Sequence, residues 1–277
     1  MEHMIPKIKL NNGVEIPQLG FGTFKIEDGK PVIDAVTTAL ETGYRHIDTA
    51  AVYKNEDGVG TALHESGIRR DELFVTTKLW NRDQGYDSAL RAFDESMKKL
   101  KLDFVDLYLI HWPTDMELIS ESWRALERLY KDGVVRAIGV SNFKEHHLKP
   151  ILENCEVRPA ANQVEFHLTL QQDQLLQYCN QQDIAIEAWS PLMQGTFGDI
   201  ELVNQLADKY GKTPAQIILR WDIQKQVITI PKSVTPSRIK ENFDIFDFVL
   251  SNEDMALLGQ LNTETRIGPD PDDYKKK

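Results

Sequence analysis

Four side chains that together could protonate a carbonyl oxygen occur within the first 111 residues: Asp48, Tyr53, Lys78 and His111. A tyrosine hydroxyl has an ordinary pKa of about 10, so it is a poor acid at neutral pH. A nearby lysine ammonium favours the phenolate and lowers that pKa. An ionised Asp48 paired with Lys78 would keep the ammonium charged and oriented in a semi-buried cleft. The set therefore predicts Tyr53 as a proton donor.

A histidine that donates a hydrogen bond to a carbonyl oxygen would position the substrate and stabilise the charge that develops there, which is the role expected of His111. This chemistry is carbonyl reduction. No protein side chain supplies a hydride, so the hypothesis requires a nicotinamide cofactor. The same residues leave a second chemistry open, a Schiff-base lyase with Lys78 as the nucleophile.

These residues can meet only if the fold brings the ends of their segments together. From residue 18 onward, short apolar runs alternate with amphipathic stretches, as in Leu90, Phe93, Met97 and Leu100, which recur at helical spacing. Eight strands, each followed by a helix, predict one closed (β/α)8 TIM barrel, an α/β fold that occupies residues 1–277 as a single domain. The predicted strands are 18–24, 44–48, 74–79, 104–110, 135–140, 159–165, 184–188 and 227–230.

Further elements are predicted outside the regular alternation. An N-terminal β-hairpin spans Lys7–Pro17 and turns at Asn12-Gly13. Two helices are predicted in addition to the eight of the barrel. Helical segments at 200–210 and 213–226 both lie between the seventh and eighth strands. A last helix begins at Ser251, with Asp254 in the position of a capping acid. The rival fold, an open doubly wound sheet, would usually carry a G-x-G-x-x-G loop to bind a dinucleotide. Gly20-Phe21-Gly22 is followed by Thr23-Phe24-Lys25, so that motif is absent.

The charge balance narrows the classes of partner. The chain has 32 basic and 43 acidic residues, a net charge of −11, and its longest basic run is Lys275–Lys277. An acidic protein repels phosphate backbones, so we expect no nucleic-acid partner. The 41% hydrophobic content without a long apolar segment disfavours disorder, collagen and a membrane span. Two cysteines outside any CxxC and no visible secretory signal predict reduced thiols in a cytoplasmic protein, which we expect to be a monomer.

Four segments carry a recognisable pattern: Gly43–Ala50 with Tyr53 and Asn55-Glu56, Leu107–Pro113, Ile138–Phe143, and Ile230–Ser233 with Arg238 and Glu241-Asn242. In this order the sequence resembles the aldo-keto reductase superfamily. Through Ala188–Gly195 it is most similar to the short prokaryotic and protozoan branch that includes 2,5-diketogluconate reductases, methylglyoxal reductases and a prostaglandin F synthase. The resemblance implies NADPH-dependent reduction of aldehydes and ketones, with broad specificity for small carbonyl substrates and Tyr53 as general acid in a tetrad with Asp48, Lys78 and His111.

The resemblance also implies where the cofactor binds. It assigns the nicotinamide carboxamide to Ser141, Asn142 and Gln163 and stacks the Trp189 ring on the nicotinamide. It also counts Ser190 and Leu192 among the cofactor-binding residues. It assigns the 2′-phosphate to Lys232, Ser233 and Arg238, and the adenine to Glu241 and Asn242. Because a dianionic monoester favours an arginine and a lysine, we predict NADPH over NADH.

The substrate is expected in an apolar funnel walled by Phe24, Val52, Trp80, His111 and Trp112. The short acidic tail after Gly268 predicts an open, permissive pocket. His146-His147 suggests a metal, but adjacent helical residues point about 100° apart. With no partner cluster evident, we expect a solvated pair and no metal. An alternative function is a regulatory barrel that binds NADPH as a redox sensor with little turnover.

Overall fold

The computed structural model describes residues 5–274, so the lysines of the Lys275–Lys277 run lie outside the described residues. The strands are β1 Lys7–Lys9, β2 Glu15–Pro17, β3 Phe21–Gly22, β4 His46–Asp48, β5 Phe74–Leu79, β6 Val105–Ile110, β7 Val135–Ser141, β8 Ala161–Glu165, β9 Ala185–Trp189 and β10 Ile228–Thr229. The helices are α1 Lys30–Thr42, α2 Glu56–Glu65, α3 Tyr86–Leu100, α4 Met116–Lys131, α5 Glu145–Asn154, α6 Asp173–Gln181, α7 Glu201–Tyr210, α8 Pro214–Gln224, α9 Pro236–Phe243 and α10 Asn252–Gly259.

Strands β3 to β10 form one parallel sheet in chain order, and the sheet closes on itself. The Gly20 N–H donates to the Thr229 carbonyl oxygen at 2.9 Å, and the Thr229 N–H donates to the Gln18 carbonyl oxygen at 2.9 Å. These bonds join the first and last strands of the barrel. The predicted (β/α)8 barrel, with its hairpin and two added helices, is confirmed, and the open doubly wound sheet is excluded.

The first and last barrel strands are shorter than predicted. The segment expected to run from residue 18 to 24 is regular only at β3, because the Thr23 N–H and hydroxyl both bond to the Asp48 carbonyl oxygen and the chain then turns. The eighth strand is limited to β10. This early turn puts Phe24 and Lys25 at the rim of the barrel rather than inside a strand.

The hairpin closes the amino-terminal end of the barrel. Strands β1 and β2 pair antiparallel, and Leu10 and Ile16 are buried against Phe74, Leu107 and Ile228 of the barrel interior. This floor is apolar, since burial of such side chains is favourable in proportion to the area removed from water. Polar chemistry is therefore confined to the opposite end, where the strands finish.

Apolar faces of the helices cover the outside of the barrel. Trp221 of α8 is fully buried and stacks on Phe166 at 5.4 Å between ring centroids. The last helix begins as predicted, because the Ser251 hydroxyl accepts a hydrogen bond from the Asp254 N–H at 3.2 Å. Cys155 and Cys179 are both free thiols. Among the described residues, no helix combines the length and the apolar character that crossing a membrane requires.

Candidate active site

The four acid–base candidates meet at the carboxyl ends of neighbouring strands. Asp48 ends β4, Lys78 is the penultimate residue of β5, His111 follows β6, and Tyr53 ends the 3₁₀ turn Ala51–Tyr53. The Lys78 Nζ donates to Asp48 Oδ1 at 2.7 Å and Oδ2 at 2.8 Å, and it lies 3.4 Å from the Tyr53 Oη. The rings of Tyr53 and His111 are 5.8 Å apart. The predicted grouping is therefore present.

Lys78 is completely buried and remains charged because of its partners. Burial alone would lower the pKa of Lys78, but the Asp48 and Tyr53 oxygens outweigh it, and the pKa is raised. Burial raises the pKa of Asp48, and the Lys78 ammonium opposes that shift. The Lys78 Nζ also donates to the Thr49 carbonyl oxygen at 2.9 Å. An ammonium held this way is a poor nucleophile, which argues against the Schiff-base alternative.

The expected lowering of the Tyr53 pKa is wrong for this site. Burial raises the pKa of Tyr53 to about 12; Lys78 acts to lower it, while Asp48 and Glu187 act to raise it. Burial outweighs Lys78 because the lysine charge is shared with the Asp48 carboxylate. Tyr53 therefore holds its proton at neutral pH, and only a strongly basic oxygen, such as an alkoxide forming beside it, would accept that proton.

His111 is a neutral imidazole. Burial, and secondly the Lys78 charge, hold the pKa of His111 well below its usual range. A neutral ring has one N–H to donate. Within the described residues no hydrogen bond reaches the His111 Nδ1. The ring also contacts the edge of the Trp80 indole, with 5.3 Å between centroids. His111 is thus held as a hydrogen-bond donor rather than as a cation.

Three amide and indole side chains continue the site from the tetrad. The Gln163 Nε2 donates to Asp48 Oδ2 at 2.8 Å, which links β8 to β4 across the barrel. The Trp189 Nε1 donates to the Asn142 Oδ1 at 2.7 Å, and the Asn142 Nδ2 donates to the His111 carbonyl oxygen at 3.0 Å. The Ser141 hydroxyl donates to the Gln163 carbonyl oxygen at 2.8 Å. Ser141, Asn142, Gln163 and Trp189 are thus hydrogen-bonded to one another, to the Asp48 carboxylate and to the backbone of His111.

The turn after β9 brings two further residues predicted to bind the cofactor to the same end of the barrel. Ser190 and Leu192 follow Trp189 directly, and Ser190 has a positive φ of 52°. A positive φ is uncommon for a residue other than glycine and here reverses the chain at once after the strand. Asn142 has a φ of 65° after β7 and turns the same way. Both turns keep the chain close to the rim of the barrel.

A second group of predicted residues follows β10 and is cationic. Lys232 and Arg238 are exposed, and Ser233 is buried, with its hydroxyl accepting from the Thr235 N–H at 3.1 Å. Partial burial, and secondly the charge of Lys25, lower the pKa of Lys232. Two neighbouring cations that repel each other in an acidic protein form a site suited to an anion.

Lys25 was missed by the sequence reasoning. It lies 207 positions before Lys232, on the loop after β3. The sequence did contain a signal for Lys25. This lysine follows the first barrel strand, and β3 must lie beside β10 once the barrel closes. The Gly22 position shows how closely β3 approaches this segment, because a Cβ there would lie 2.9 Å from the Ile230 carbonyl oxygen and 3.7 Å from the Lys232 Cβ.

The two residues expected at the adenine are placed differently from one another. Glu241 is half-buried, and its carboxylate accepts from the Thr213 hydroxyl at 2.8 Å, which ties α9 to the start of α8. Asn242 is buried in α9. Both residues lie on the helix that carries Arg238, but the carboxylate of Glu241 already has a structural partner.

Aromatic side chains surround Tyr53 and His111, as predicted. Phe24 lies 5.0 Å from the Tyr53 ring and is 51% exposed, while Trp112 stacks parallel to His111 at 6.5 Å. Val52 and Trp80 line a cavity of about 690 Å³ that continues along α3. Phe24, Trp80 and Trp112 therefore border the tetrad, whereas Val52 is placed only in the cavity along α3.

Comparison with known proteins agrees with this geometry. The model of the aldo/keto reductase family matches residues 18–263. The chain belongs to the aldo/keto reductase family. It is 55% identical over 266 residues to glyoxal reductase of Bacillus subtilis (strain 168), covering 96% of each protein. It is 47% identical to methylglyoxal reductase DkgA of Escherichia coli (strain K12), covering 96% of this chain and 97% of that one. A crystal structure of a Gox0644 mutant in complex with NADPH is 41% identical, with a TM-score of 0.93 over 99% of this chain and all of that one.

The tail of this aldo/keto reductase crosses the mouth of the barrel. The Tyr274 ring stacks on Trp112 at 4.0 Å with 9° between the planes. Upstream, the Ile267 N–H donates to Glu165 Oε1 at 2.6 Å. A Cβ on Gly268 would lie 2.4 Å from the Trp189 ring, so only glycine fits there. The expectation of an open pocket is therefore wrong, because even a short tail reaches both tryptophans. We call residues 266–274 the C-terminal strap.

The strap also corrects the interpretation of His146-His147. Asp272 lies 2.8 Å from the His146 Nε2 and 3.3 Å from the His147 Nε2, so a partner for the pair does exist, 125 residues away from His147. The Lys144 N–H donates to the His147 Nδ1 at 3.1 Å, which puts the proton of the neutral ring on Nε2. Burial, and secondly His146, lower the pKa of His147 to about 4, so the ring is neutral at pH 7. The Nε2 of the neutral His147 ring therefore carries the proton and donates to Asp272. Lys144 also contacts Asp270 and Asp272. This group anchors the strap.

Proposed function

We propose that this protein is an NADPH-dependent reductase of aldehydes and small ketones in which Tyr53 is the general acid. The observation that carries the proposal is the buried contact of Lys78 with Asp48 at 2.7 Å and with the Tyr53 hydroxyl at 3.4 Å. The neutral His111 beside it supplies a second donor for a substrate oxygen. Glyoxal and methylglyoxal reductases among the relatives support small carbonyl compounds as the substrate class.

The residues of the site divide the work of reduction. The substrate carbonyl oxygen lies between the Tyr53 hydroxyl and the His111 N–H, and both donate to it. NADPH, when bound, supplies the hydride. As negative charge develops on the oxygen, Tyr53 transfers its proton and the Lys78 ammonium stabilises the resulting phenolate. Asp48 keeps Lys78 in place throughout.

The cofactor assignments follow from the two residue groups of the site. Ser141, Asn142 and Gln163 would bind the nicotinamide carboxamide and Trp189 would stack on the ring, while Ser190 and Leu192 would contribute to the cofactor site on the turn after β9. Lys232, Ser233 and Arg238 bind the 2′-phosphate, and Lys25 joins them. The repulsion between Lys25 and Lys232 supports this fit, since a phosphate between them would relieve it. Asn242 is the better candidate for the adenine, because Thr213 already holds the Glu241 carboxylate.

Arg238→Ala is expected to weaken NADPH binding selectively. A hydrogen bond to a charged group contributes about 1.5–3 kcal/mol, so the Kd for NADPH should rise about 10- to 150-fold, with less than about a twofold change for NADH, which lacks the phosphate. Fluorescence titration with both cofactors measures the two constants. Lys240→Ala, an exposed cation on the same helix, is the matched control. Equal losses for NADPH and NADH would refute the assignment.

Tyr274→Ala is expected to change substrate preference rather than chemistry. A bulky aromatic substrate must displace the Tyr274 ring from Trp112, and such a pair is worth about 0.5–1.5 kcal/mol beyond its buried area. The KM for 2-naphthaldehyde should therefore fall about two- to tenfold, whereas kcat/KM for methylglyoxal stays within about twofold. Tyr274→Phe keeps the stacked ring and should behave as wild type. A proportional change for both aldehydes would contradict this role of the strap.

The reductase proposal is tested by the loss of absorbance at 340 nm when enzyme and NADPH are mixed with glyoxal, methylglyoxal, simple aldehydes and a keto-sugar. Consumption of NADPH with at least one small carbonyl is expected. Tight NADPH binding without turnover on any of them would favour the redox-sensor alternative.

The excess of 11 acidic charges and the free thiols of Cys155 and Cys179 support a cytoplasmic monomer without a nucleic-acid partner, which light scattering and a DNA-binding assay test.

A further inference from the structure

A buried acid lies beneath the tetrad and has no part in the mechanism above. Glu187 is in β9, two residues before Trp189, and is fully buried. It pairs in register with Gln163 of β8 and Ile228 of β10. Within the described part of the chain, neither carboxyl oxygen has a hydrogen bond of full geometry, although the Gln163 amide faces the carboxyl, and the His46 Nε2 lies 3.5 Å from Oε1. An ionised carboxylate in such a place would lack compensation.

The groups that face Glu187 come from four strands: β8 and β10, which adjoin β9, and β4 and β5, which do not. Strand β4 contributes His46 and Asp48, β5 contributes Lys78, and β8 contributes Gln163. Burial, and further the Lys78 charge, lower the pKa of His46 to about 3, so His46 carries no charge and shares a 3.1 Å contact with the Thr76 hydroxyl. Strand β10 contributes Ile228, which has no charge. The charges near Glu187 are therefore those of the Asp48–Lys78 pair.

These neighbours act on Glu187 in opposite directions. Burial, and secondly the Asp48 carboxylate, raise the pKa of Glu187 to about 8 from an ordinary 4.5, whereas Gln163 and Lys78 act to lower it. The coupling is mutual, because an ionised Glu187 would raise the pKa of both Lys78 and Tyr53. Glu187 thus touches no reacting atom, but its charge changes the pKa of Lys78 and Tyr53, the two residues that take part in moving the proton.

We propose that Glu187 is a further positioning residue of the reduction: as a neutral carboxyl it leaves the Lys78 charge available to Tyr53, and when it ionises it offsets that charge and slows proton transfer. The proposal rests on the proposed reductase function. Gln163 offers a second route for the effect, since its amide bonds to Asp48 and faces Glu187. The protonation state of a side chain inside the barrel would thus set the rate of proton transfer in the active site.

The first test is the pH dependence of hydride transfer, measured in single turnover with NADPH and methylglyoxal from pH 6 to 10. The wild-type rate should fall around pH 8 and level off at a lower value, because the form with ionised Glu187 transfers the proton more slowly than the form with protonated Glu187. Glu187→Gln, which keeps the shape and cannot ionise, should hold its neutral rate to at least one pH unit higher. Glu187→Met, a second uncharged side chain of similar volume, should do the same.

Asp222→Asn is the matched control. Asp222 is also fully buried, burial holds its pKa well above its usual range, and its neighbours are Thr229 and Lys225 rather than the tetrad. This variant should keep the wild-type rate profile. If wild type and both Glu187 variants fall at the same pH, the proposal is overturned. A loss of rate that is equal at every pH would likewise overturn it, because that is the signature of a structural role.

The second test needs no activity. Since the folded pKa of Glu187 exceeds its ordinary value of 4.5, the folded wild type binds more protons than the unfolded chain between about pH 5 and 8, and its stability falls as the pH rises through that window. Glu187→Gln lacks this loss, so its Tm relative to wild type should increase from pH 5 to 8 and then level off. A constant Tm difference would show that Glu187 is ionised throughout and would overturn the proposal. If the Tm difference rises with pH but the protein reduces no carbonyl compound, the reductase function and the effect on rate are rejected. The result would still show that Glu187 is protonated in the folded protein.

Discussion

Tyr53→Phe is expected to lower kcat for aldehyde reduction between about 100-fold and 10,000-fold, the range that general acid catalysis contributes. The variant loses one hydroxyl, 3.4 Å from the Lys78 Nζ, and keeps the ring that packs against Phe24 and His111. Hydride transfer would then place charge on a substrate oxygen that has no proton donor beside it except the neutral His111. Steady-state kinetics with methylglyoxal measure the loss.

The same variant distinguishes the two functions that the site allows. The Kd for NADPH should change less than about twofold, because Tyr53 is outside both cofactor-binding groups. A reductase therefore loses turnover and keeps cofactor binding. A redox sensor would show little difference in either quantity between wild type and variant, and that outcome would reject the catalytic role of Tyr53.

Lys78→Met is expected to cost both activity and stability. Lys78 is fully buried and donates to both oxygens of Asp48, so its removal leaves a carboxylate in the barrel without a cation. Breaking a buried ion pair on one side typically destabilises a protein by about 3–5 kcal/mol. Denaturant titration measures the free energy of unfolding. Loss of kcat should accompany it, since the phenolate of Tyr53 would have no counter-charge.

The pH dependence of this loss has a definite sign. Without Lys78, burial holds the folded pKa of Asp48 above its unfolded value near 3.8, so the variant is most stable below that value and loses stability as the pH rises. The double variant Asp48→Asn with Lys78→Met removes both charges and should recover most of the stability while activity stays low. If the single variant were as stable as wild type at pH 7, the ion pair would not hold the site together.

Alternation of apolar runs was sufficient to predict the barrel and the end at which the site lies. Asp48, Lys78 and His111 come from three successive strands, and parallel strands in a barrel all finish at one face. The closeness of these three residues was therefore predictable from the sequence alone. It could also predict the hairpin, since Asn12-Gly13 favours a tight turn and Leu10 and Ile16 need a buried surface.

Other features depend on contacts that the pattern does not reveal. The Tyr53 pKa depends on the balance between burial and a shared lysine charge, and burial prevails. Asp272 reaches His146 only because the strap folds back over the barrel. Lys25 reaches Lys232 only because the barrel closes. Glu187 is one polar residue in an apolar strand, and only the assembled barrel shows that its carboxyl lies beneath the tetrad without a cation partner. Each of these is a long-range effect.

The most direct measurement follows deuterium into the product from NADPH that carries deuterium at both C4 positions of the nicotinamide. Wild-type enzyme is incubated with the labelled cofactor and methylglyoxal, and the alcohol is analysed by mass spectrometry and NMR. The account predicts one deuterium on the new carbinol carbon for each NADPH oxidised, with the label transfer slowed about 100-fold or more in Tyr53→Phe. An alcohol without deuterium, or the same rate of label transfer in Tyr53→Phe, would contradict it.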